Sequence, residues 1–382
     1  MVTRLYSVSP WGNLTGAPIC ALEHLRVLRN SFDEVCLVLC QPGGLAQRAA
    51  AVGIPIWCEP LFAGLRGKSR LAAMLLAWRI IPLRCRYVWR LYRKLMKEPG
   101  ILHLHSLAEH TPYTLLAGWL ARVPVVISIH EPWTGGWTAW FQSWLVSCLS
   151  DHVVFPAQAL ADSHPWFLRR NGSTMPYAAE VAPLRDRNLA RKVPLVVMPA
   201  LMSRRKGYDI FLQVCRRLHE DGAAFEAWMG GGGWHLGQQQ LEAKKYLKAH
   251  GLDSFVKDLD LLPEIGPLYE QMDILLLTSR RDPLPRVIME AMCHGIPVVA
   301  TRVDGIPEMV EDGVTGFLVE SGDVEGFAQA VERLLENKGL RGQLGAAGRA
   351  RAEQLFSPAK YAEAMNRIYA GLRRGADPGG AA

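Results

Sequence analysis

Short apolar runs alternate with longer stretches of mixed polarity along most of the chain. In the first half the runs cover residues 5–8, 35–39, 101–105, 124–130 and 153–156. In the second half they cover residues 194–199, 225–229, 274–278 and 297–300. Near-continuous apolar strands separated by helical segments are typical of parallel sheets that are covered on both faces. The pattern predicts an α/β fold in which the functional loops follow the carboxyl ends of the strands.

Both halves of the chain carry this alternation, which predicts two Rossmann-like domains. A chain of 382 residues also exceeds what one hydrophobic core usually fills. The polar and charged stretch at residues 185–192 separates the halves and is the predicted linker. We therefore expect an N-terminal domain at residues 1–185 and a C-terminal domain at residues 193–357.

Positive charge is concentrated near the start of the chain. Residues 1–100 carry fourteen Lys or Arg and five Asp or Glu, a net +9, whereas the whole chain carries +7. Ten of these cations and no acid lie at residues 66–97, among Trp and Tyr residues. Arginines and Pro82 interrupt the stretch, so a spanning helix is not predicted. It favours contact with an anionic membrane surface rather than nucleic acid, with a solvated helix as the alternative. The cations assigned to that contact are Arg86, Arg90 and Arg93.

The eight cysteines form no C-x-x-C pair and no grouping with histidine that is typical of a metal site. Scattered cysteines with apolar neighbours favour a reducing compartment over a disulfide framework. No signal peptide is predicted, because the first apolar run is short and is typical of a strand. The expected location is the cytoplasm, on the inner face of the cell membrane.

The most informative stretch runs from Thr278 to Gly295, where an apolar strand leads through a loop into a helix. Pro285 is well suited to the first helical position, and Gly295 to the position beyond the last turn. The backbone amides of Arg286 and Val287 are then unpaired donors at the positive end of the helix. Such a helix end favours binding of a diphosphate.

Two carboxylates, Asp282 and Glu290, accompany that helix and can accept hydrogen bonds from sugar or ribose hydroxyl groups. The stretch resembles the E-x7-E signature of retaining glycosyltransferase family 4, in the variant S-R-x-D-P-x-P-x-V-x-x-E-A. The resemblance continues through residues 295–300, 305–308 and 312–319. It implies that Glu290 binds the ribose of a nucleotide and that Asp282 contacts the transferred sugar. Asp stands where the family's first Glu is expected, a departure that bears on the identity of the sugar.

A basic turn, Arg204-Arg205-Lys206, follows the strand at residues 194–199. Cations in a loop between a strand and a helix suit a diphosphate. The resemblance implies that Lys206 binds the donor diphosphate. Leu201 occupies the position of the family's arginine, so Arg204 or Arg205 is expected to substitute for it. A solvated basic turn is the alternative for the arginines.

The resemblance also implies three backbone contacts with the donor. Gly231 lies in the glycine run 230–233 at a strand end, and Leu262 lies in the turn that meets the nucleobase. Gly16 precedes a helix expected to begin near Ile19 and faces the diphosphate. Flexible or tight structural turns are the alternatives for the two glycine segments.

Histidines and tryptophans in the first half are the candidates for the reaction centre and for the acceptor. His130 ends a strand and matches the family's histidine beside the transferred sugar, whereas His105 is a weaker acceptor-side candidate. Trp133 and Trp137 belong to a stripe with Trp140 and Trp144 at helical spacing. Such a stripe more often indicates a helix packed in the core, with acceptor binding as the alternative.

The resemblance implies a GT-B fold, in which two Rossmann-like domains enclose a cleft and a final helix, residues 358–374, returns to the N-terminal domain. It implies transfer of a sugar from a UDP- or GDP-sugar to a glycan or lipid-linked acceptor, with retention of configuration. His130, Lys206 and Asp282 form the expected catalytic set. No cofactor and no metal are expected if the cations stabilise the departing diphosphate.

Two other functions remain open at this stage. A nucleotide-sugar epimerase or hydrolase of the same fold would need no acceptor, and a glycosyltransferase-like binding protein would lack catalysis. A dehydrogenase is disfavoured because no G-x-G-x-x-G motif follows the first strand. The Asp258-x-Asp260 pair resembles a metal-binding motif of another glycosyltransferase fold, but it lies within a strand pattern and is read as a coincidence.

Overall fold

The computed structural model describes residues 3–13, 16–61, 70–108, 110–181, 192–230, 237–259 and 265–375. The chain divides into two compact units. Unit 1 comprises residues 1–178 together with residues 358–382, and unit 2 comprises residues 179–357. The predicted linker lies, apart from Lys192, outside the described residues.

The strands of the described residues form one parallel sheet in each unit. Unit 1 has a sheet of seven strands in the order β3-β2-β1-β4-β5-β6-β7, and unit 2 has a sheet of six in the order β10-β9-β8-β11-β12-β13. Those of unit 1 are β1 (Arg4–Ser9), β2 (Glu34–Leu39), β3 (Ile56–Cys58), β4 (Ile101–His105), β5 (Val125–Ser128), β6 (His152–Phe155) and β7 (Gly172–Thr174). Those of unit 2 are β8 (Leu195–Met198), β9 (Glu226–Gly230), β10 (Val256–Leu259), β11 (Ile274–Leu277), β12 (Val298–Thr301) and β13 (Gly316–Val319).

Helices connect the strands in both units. The first eight are α1 (Gly16–Leu28), α2 (Gly44–Ala51), α3 (Arg70–Lys97), α4 (Thr111–Ala121), α5 (Gly136–Leu149), α6 (Gln158–Ser163), α7 (Trp166–Arg169) and α8 (Tyr208–Glu220). The others are α9 (Gly237–Ala249), α10 (Gly266–Tyr269), α11 (Arg286–Cys293), α12 (Ile306–Met309), α13 (Val324–Glu336), α14 (Lys338–Leu355) and α15 (Pro358–Gly375). The predicted α/β architecture with two parallel sheets is confirmed.

The strand order places a change of crossover direction beside the first strand of each sheet. In unit 1, β1 pairs with both β2 and β4, and in unit 2, β8 pairs with both β9 and β11. Loops leaving neighbouring strands on either side of such a point diverge and leave a crevice at the carboxyl ends. The sheets therefore provide one position for a site in each unit.

The last helix, α15, packs into the core of unit 1. Met365 and Tyr369 are 0% and 1% exposed and belong to the same buried cluster as Leu22, Leu25 and Ile101. Burying each such side chain contributes about 1.5–3 kcal/mol relative to its exposure. The helix is thus a constituent of unit 1, although all of unit 2 precedes it in the chain.

Two local predictions in unit 1 were wrong. Pro82 was expected to break its segment, but it lies inside α3. Ile81 and Pro82 are exposed, so the proline lies on a part of the helix that faces solvent. The tryptophan stripe was expected to be core, but Trp137 is 75% exposed and Trp144 is 44% exposed. No helix in the described parts of the chain is long and apolar enough to cross a bilayer.

Candidate active site

The basic turn of unit 2 follows β8 and is held against the end of β11. Arg204–Lys206 form one turn of 3-10 helix, and the Ser203 hydroxyl oxygen accepts a hydrogen bond from the Lys206 amide at 3.3 Å. Gly207 follows with a φ of +73°. Its carbonyl oxygen accepts a hydrogen bond from the Thr278 hydroxyl at 2.8 Å, and a Cβ on Gly207 would overlap the Thr278 carbonyl oxygen. Only glycine fits this turn without strain.

Lys206 lies against Asp282, just beyond the carboxyl end of β11. Lys206 Nζ donates to Asp282 Oδ2 at 2.5 Å, and the two side chains are 14% and 7% exposed. Burial lowers the pKa of Lys206 from its usual value, and the Asp282 carboxylate opposes that shift. Ser279 Oγ donates to the same carboxylate oxygen at 3.3 Å. A cation that can meet a phosphate thus stands beside a carboxylate that can accept hydroxyl groups.

Asp304 is a residue of this site that the sequence analysis did not single out. Its Oδ2 accepts a hydrogen bond from the Asp282 amide at 2.7 Å, and both oxygens lie 3.0 Å from Arg281 Nε. Asp304 has a φ of +46°, which is uncommon for a residue with a side chain. The available sequence signal is an Asp-Gly pair shortly after β12, because Asp tolerates this backbone conformation. Asp304 fixes the loop that carries Asp282.

The two arginines of the basic turn are exposed. Arg205 Nη1 donates to the Arg281 carbonyl oxygen at 3.1 Å, and the Arg204 carbonyl oxygen accepts from Arg280 Nη1 at 2.8 Å. Arg280 also forms a bidentate ion pair with Asp209, with both N–O distances at 2.7 Å. These contacts tie the basic turn to the loop after β11, so Arg204 and Arg205 are held beside Lys206.

Helix α11 begins at Arg286, with Pro285 as its N-cap residue, one position later than predicted. The amides of Arg286 and Val287 lie in the first turn, where a helix provides no backbone acceptor. Glu290 Oε1 accepts from Arg286 Nη2 at 3.0 Å, and Oε2 accepts from the Tyr269 hydroxyl at 2.7 Å. Burial and the nearby Glu290 carboxylate raise the pKa of Tyr269 well above its usual value. The Glu290 carboxylate is therefore oriented from two sides.

Two of the predicted backbone contacts, Gly231 and Leu262, lie outside the described residues. Gly230 is described and has a φ of +117°, and a Cβ there would overlap the Leu259 carbonyl oxygen. In unit 1, α1 begins at Gly16, before the expected start near Ile19. A Cβ on Gly16 would meet no described atom within 4 Å. Packing of the described residues therefore does not demand glycine at position 16.

His130 and His105 lie in unit 1 at the ends of neighbouring strands. His130 follows β5 and is half-buried, and its Nδ1 lies 2.7 Å from the Tyr177 hydroxyl. The His105 ring stacks against His130 with centroids 5.7 Å apart and against His103 with centroids 4.6 Å apart. His105 is 1% exposed, and its described contacts are with the neighbouring imidazole rings.

A chain of hydrogen bonds runs from α15 through this histidine cluster. The Tyr361 hydroxyl lies 2.8 Å from His24 Nδ1, and the Tyr369 hydroxyl lies 2.9 Å from His24 Nε2 and 2.5 Å from His103 Nδ1. His103 Nε2 lies 2.8 Å from Ser128 Oγ. The chain therefore fastens α15 to α1, β4 and β5 through buried polar groups that are mutually satisfied.

Three of these imidazoles have a spacing that can hold a metal ion. Ring nitrogens of His24, His103 and His105 lie within 4.8 Å of one another. Hydrogen bonds already occupy both ring nitrogens of His24 and of His103. An ion at this position would have to replace those bonds, so His24 and His103 fit a structural hydrogen-bond network better than a metal centre. Both ring nitrogens of His105 have no hydrogen-bond partner among the described residues.

The buried histidines predict acid sensitivity of unit 1. Burial lowers the pKa of His24 and of His110 to about 3, and lowers that of His103 and His105 well below the usual 6.5. The unfolded chain then binds more protons than the folded one below pH 6.5. The free energy of unfolding therefore decreases as the pH is lowered. At pH 5.5 each such histidine costs about 1.4 kcal/mol of unfolding free energy relative to pH 7.5.

Urea unfolding followed by tryptophan fluorescence at both pH values measures this loss. Ten of the twelve tryptophans belong to unit 1, so the fluorescence reports mainly on that unit. His110→Phe removes one titrating group and should reduce the pH dependence by about one histidine's share. Equal unfolding free energies at pH 7.5 and 5.5 would contradict the prediction.

The cations assigned to a membrane contact lie on the second half of α3, where they have different partners. Arg86 Nε and Arg90 Nη1 donate to Glu59 at 3.2 and 2.6 Å, and the Glu59 side chain is 7% exposed. Arg93 is exposed and lies over the Trp89 ring at 4.9 Å. Arg86 and Arg90 therefore neutralise a buried acid, and only Arg93 of the three has no role of that kind.

The tryptophans assigned to the acceptor side differ in environment. Trp133 is half-buried and precedes α5, whereas Trp137 lies in the first turn of α5. The Trp137 ring stacks on Trp140 with centroids 5.6 Å apart. Trp137 is thus available to a ligand or surface, whereas Trp133 is less accessible.

Comparison with known proteins agrees with this geometry. The sequence profile described as "Glycosyltransferase Family 4" matches residues 14–166, and the profile described as "Glycosyl transferases group 1" matches residues 193–337. Each match covers most of one of the two sheet-forming regions. The chain belongs to glycosyltransferase family 4. In this family 4 chain, the first matched region contains His130 and the second contains the pair Lys206–Asp282.

Curated relatives of this family 4 chain include glycosyltransferases of lipopolysaccharide core and amylovoran biosynthesis. It is 28% identical over 155 residues to the lipopolysaccharide core biosynthesis glycosyltransferase LpsE of Rhizobium meliloti, covering 41% of this chain and 43% of that protein. It is 31% identical over 183 residues to the amylovoran biosynthesis glycosyltransferase AmsK of Erwinia amylovora, covering 46% of this chain and 43% of that protein. The matched region therefore spans less than half of each relative.

Solved structures show the fold of this family 4 chain. Anabaena HepE, solved in complex with UDP and glucose, superposes with a TM-score of 0.81 at 19% identity, over 97% of this chain and 100% of that one. Sucrose-phosphate synthase from Thermosynechococcus elongatus superposes with a TM-score of 0.75 at 17% identity, over 98% and 100%. These likenesses identify the GT-B fold that the sequence predicted.

Proposed function

We propose that this protein transfers a sugar from a nucleoside-diphosphate sugar to an acceptor hydroxyl group in the synthesis of a bacterial polysaccharide, lipopolysaccharide or related glycolipid. The observation that carries the proposal is the Lys206–Asp282 pair at the end of β11, with the first turn of α11 directly after it in the chain. The family membership and the names of the curated relatives support it. In this proposal unit 2 holds the nucleotide and unit 1 holds the acceptor.

The donor is held by groups that suit its three parts. Lys206, with Arg204 and Arg205 beside it, receives the diphosphate, as do the amides of Arg286 and Val287. Glu290 accepts hydrogen bonds from the ribose hydroxyl groups. Gly231 and Leu262 remain predicted backbone contacts for the phosphate and the nucleobase, and Gly16 is a further one from unit 1. A UDP- or GDP-sugar is the expected donor, and HepE, which was solved with UDP, supports a nucleotide of this kind.

The reaction needs stabilisation of the leaving group more than a strong nucleophile. As the anomeric C–O bond breaks, negative charge grows on the diphosphate and positive charge grows on the sugar. Fixed cations and helix amides stabilise the negative charge on the diphosphate, and the Asp282 carboxylate stabilises the positive charge on the sugar. These groups would supply the charge stabilisation without a metal ion. Retention of configuration is proposed from the family membership, with His130 beside the transferred sugar.

A panel of UDP-, GDP- and ADP-sugars tests the proposed function. Release of nucleoside diphosphate is measured with and without a bacterial lipid extract. A transferase should release it from one donor, faster with the extract, and should produce a glycosylated lipid. Equal release without any acceptor, yielding free sugar, would favour a hydrolase. Absence of release and of nucleotide binding for all donors would overturn the proposal.

Glu290→Gln should weaken binding of the matching nucleoside diphosphate by about 1.5–3 kcal/mol, because a charged acceptor of the ribose hydroxyl groups becomes neutral. Isothermal titration calorimetry measures the change. Tyr269→Phe is the matched control, since it removes one donor to Glu290 and leaves the carboxylate in place. Its effect should be smaller, and an unchanged affinity in Glu290→Gln would reject the ribose role.

Peripheral binding to an anionic membrane is the second part of the proposal, and α3 supplies the cations for it. Arg93 and Lys97 are the exposed cations to test, because Arg86 and Arg90 are bound to Glu59. Each cation near such a surface contributes about 1 kcal/mol. Replacing both by serine should lower the affinity for phosphatidylglycerol vesicles roughly 30-fold, as measured by sedimentation.

The matched control replaces two exposed lysines of unit 2, Lys244 and Lys245, by serine. It removes the same charge from another surface and should leave vesicle binding unchanged. Binding of the unaltered protein should also weaken as salt rises. Equal sedimentation with neutral and anionic vesicles would contradict the membrane proposal.

A further inference from the structure

A cavity of about 490 Å³ lies at the carboxyl ends of the strands of unit 1. Trp11 follows β1 and Leu107 follows β4, so the cavity lies at the point where the crossover direction changes. Parallel sheets bind their ligands at this position. Its volume is within the 300–1,000 Å³ that is typical of small-molecule sites. None of the described residues assigned to the donor lines it.

The polar wall of this cavity contains one acid whose oxygens are occupied and one cation with an unused donor. Glu131 accepts hydrogen bonds from the Ser106 hydroxyl, from the Leu107 amide at 2.9 Å and from the His130 amide at 3.3 Å. Arg84 Nε is buried and has no hydrogen-bond partner among the described residues. A buried donor without a partner costs free energy, which a ligand oxygen would recover.

The position of the Arg84 head is fixed. Its guanidinium carbon lies 4.9 Å from the centroid of the Tyr113 ring, a cation–π contact on one face. A guanidinium group carries its N–H donors in its own plane, at the edge of the group. A planar fork of donors suits the oxygens of a phosphate better than it suits a neutral hydroxyl group.

The cavity continues into an aromatic surface on α5. Phe141 lines the cavity and is 47% exposed, and the same helix carries Trp137, Trp140 and Trp144, which are 75%, 40% and 44% exposed. No residue of α5 is charged. Exposed aromatic side chains in a patch mark a binding surface, and tryptophan prefers the interface between lipid headgroups and acyl chains. An uncharged aromatic helix beside a cation that can bind a phosphate favours an amphiphilic ligand.

We propose that the cavity lined by Arg84, Tyr113 and Phe141 binds an acceptor that carries a phosphate and a lipid chain, with the phosphate on Arg84 and the chain along the aromatic surface of α5. This inference rests on the proposed function, because it names the substrate class of the acceptor side. It also gives the exposed tryptophans a role that the sugar and nucleotide do not supply.

Calorimetric titration with dodecyl phosphate below its critical micelle concentration tests the proposal. Inorganic phosphate lacks the chain and dodecyl maltoside lacks the charge, so both should bind at least tenfold more weakly. Arg84→Gln should weaken dodecyl phosphate binding about tenfold or more and leave dodecyl maltoside unaffected. Phe141→Ser should weaken the binding of both amphiphiles.

Arg48→Gln is the matched control, since it removes the same charge from an exposed position on α2 of the same unit, outside this cavity. It should change dodecyl phosphate binding less than twofold. Equal losses in the two arginine variants, or dodecyl phosphate binding no tighter than dodecyl maltoside, would overturn the inference. UDP and GDP titrations on the same samples keep the two proposals separate: nucleotide binding without dodecyl phosphate binding removes only this one.

Discussion

Lys206→Ala should lower turnover about 100-fold or more, the largest effect expected of any single change in this protein. In the proposed function, the substitution removes the cation that stabilises the departing diphosphate. It also leaves the Asp282 carboxylate, which is 7% exposed, without its partner at 2.5 Å. An uncompensated buried carboxylate repels a diphosphate as well as destabilising its own loop. Steady-state release of nucleoside diphosphate from the preferred donor measures the loss.

Two variants separate the local effect from a general loss of charge. Lys206→Arg keeps the cation and should retain part of the activity, although its planar head does not reproduce the ammonium geometry. Lys245→Ala removes an exposed lysine of α9 and should leave turnover unchanged. Turnover of Lys206→Ala near that of the unaltered protein would show that the diphosphate binds elsewhere.

Gly207→Ala should destabilise unit 2 by about 2–4 kcal/mol and abolish donor binding. The φ of +73° at Gly207 disfavours any side chain, and a Cβ would overlap the Thr278 carbonyl oxygen at the end of β11. The basic turn would have to move away from β11, taking Lys206 from Asp282. Chemical unfolding and nucleotide titration measure the two consequences.

Gly222→Ala is the matched control for Gly207→Ala. Gly222 has a nearly identical φ of +78°, but a Cβ there would meet no described atom within 4 Å. It should therefore report the backbone strain alone, about 1 kcal/mol, and leave nucleotide binding intact. If the two variants lose equal stability, the contact between Gly207 and Thr278 does not determine the turn.

The hydrophobic pattern predicted the sheets best where every residue of a strand is buried. Ile101–His105 was predicted to the residue, because all five residues are buried and Pro99-Gly100 marks the start of the run. The edge strands Ile56–Cys58 and Gly172–Thr174 were not predicted, since they have three residues each and are only partly buried. Strand β13, Gly316–Val319, was noted only as part of the family motif, because glycine at its start is atypical of a strand.

Within the site, the sequence predicted the residues of one contiguous motif and missed partners that are distant in the chain. Pro285 was expected at the first helical position and is instead the N-cap residue of α11, whereas Gly295 follows the helix end as expected, with a φ of +66°. Asp304, by contrast, lies outside the matched carboxylate pair and acts through a backbone amide. The exposure of the α5 tryptophans could not be predicted either, because helical periodicity does not say which face another element covers.

The position of α15 has a consequence for biosynthesis. Residues 1–178 leave the ribosome without Tyr361, Met365 and Tyr369, which complete their core and bind His24 and His103. The whole of residues 179–357 must be translated before that helix emerges. Unit 2, whose residues are continuous in the chain, can fold during synthesis, whereas unit 1 must remain unfinished. Residues 1–178 are therefore translated before residues 179–357 but reach their native state after them, and they are exposed meanwhile to chaperones and proteases.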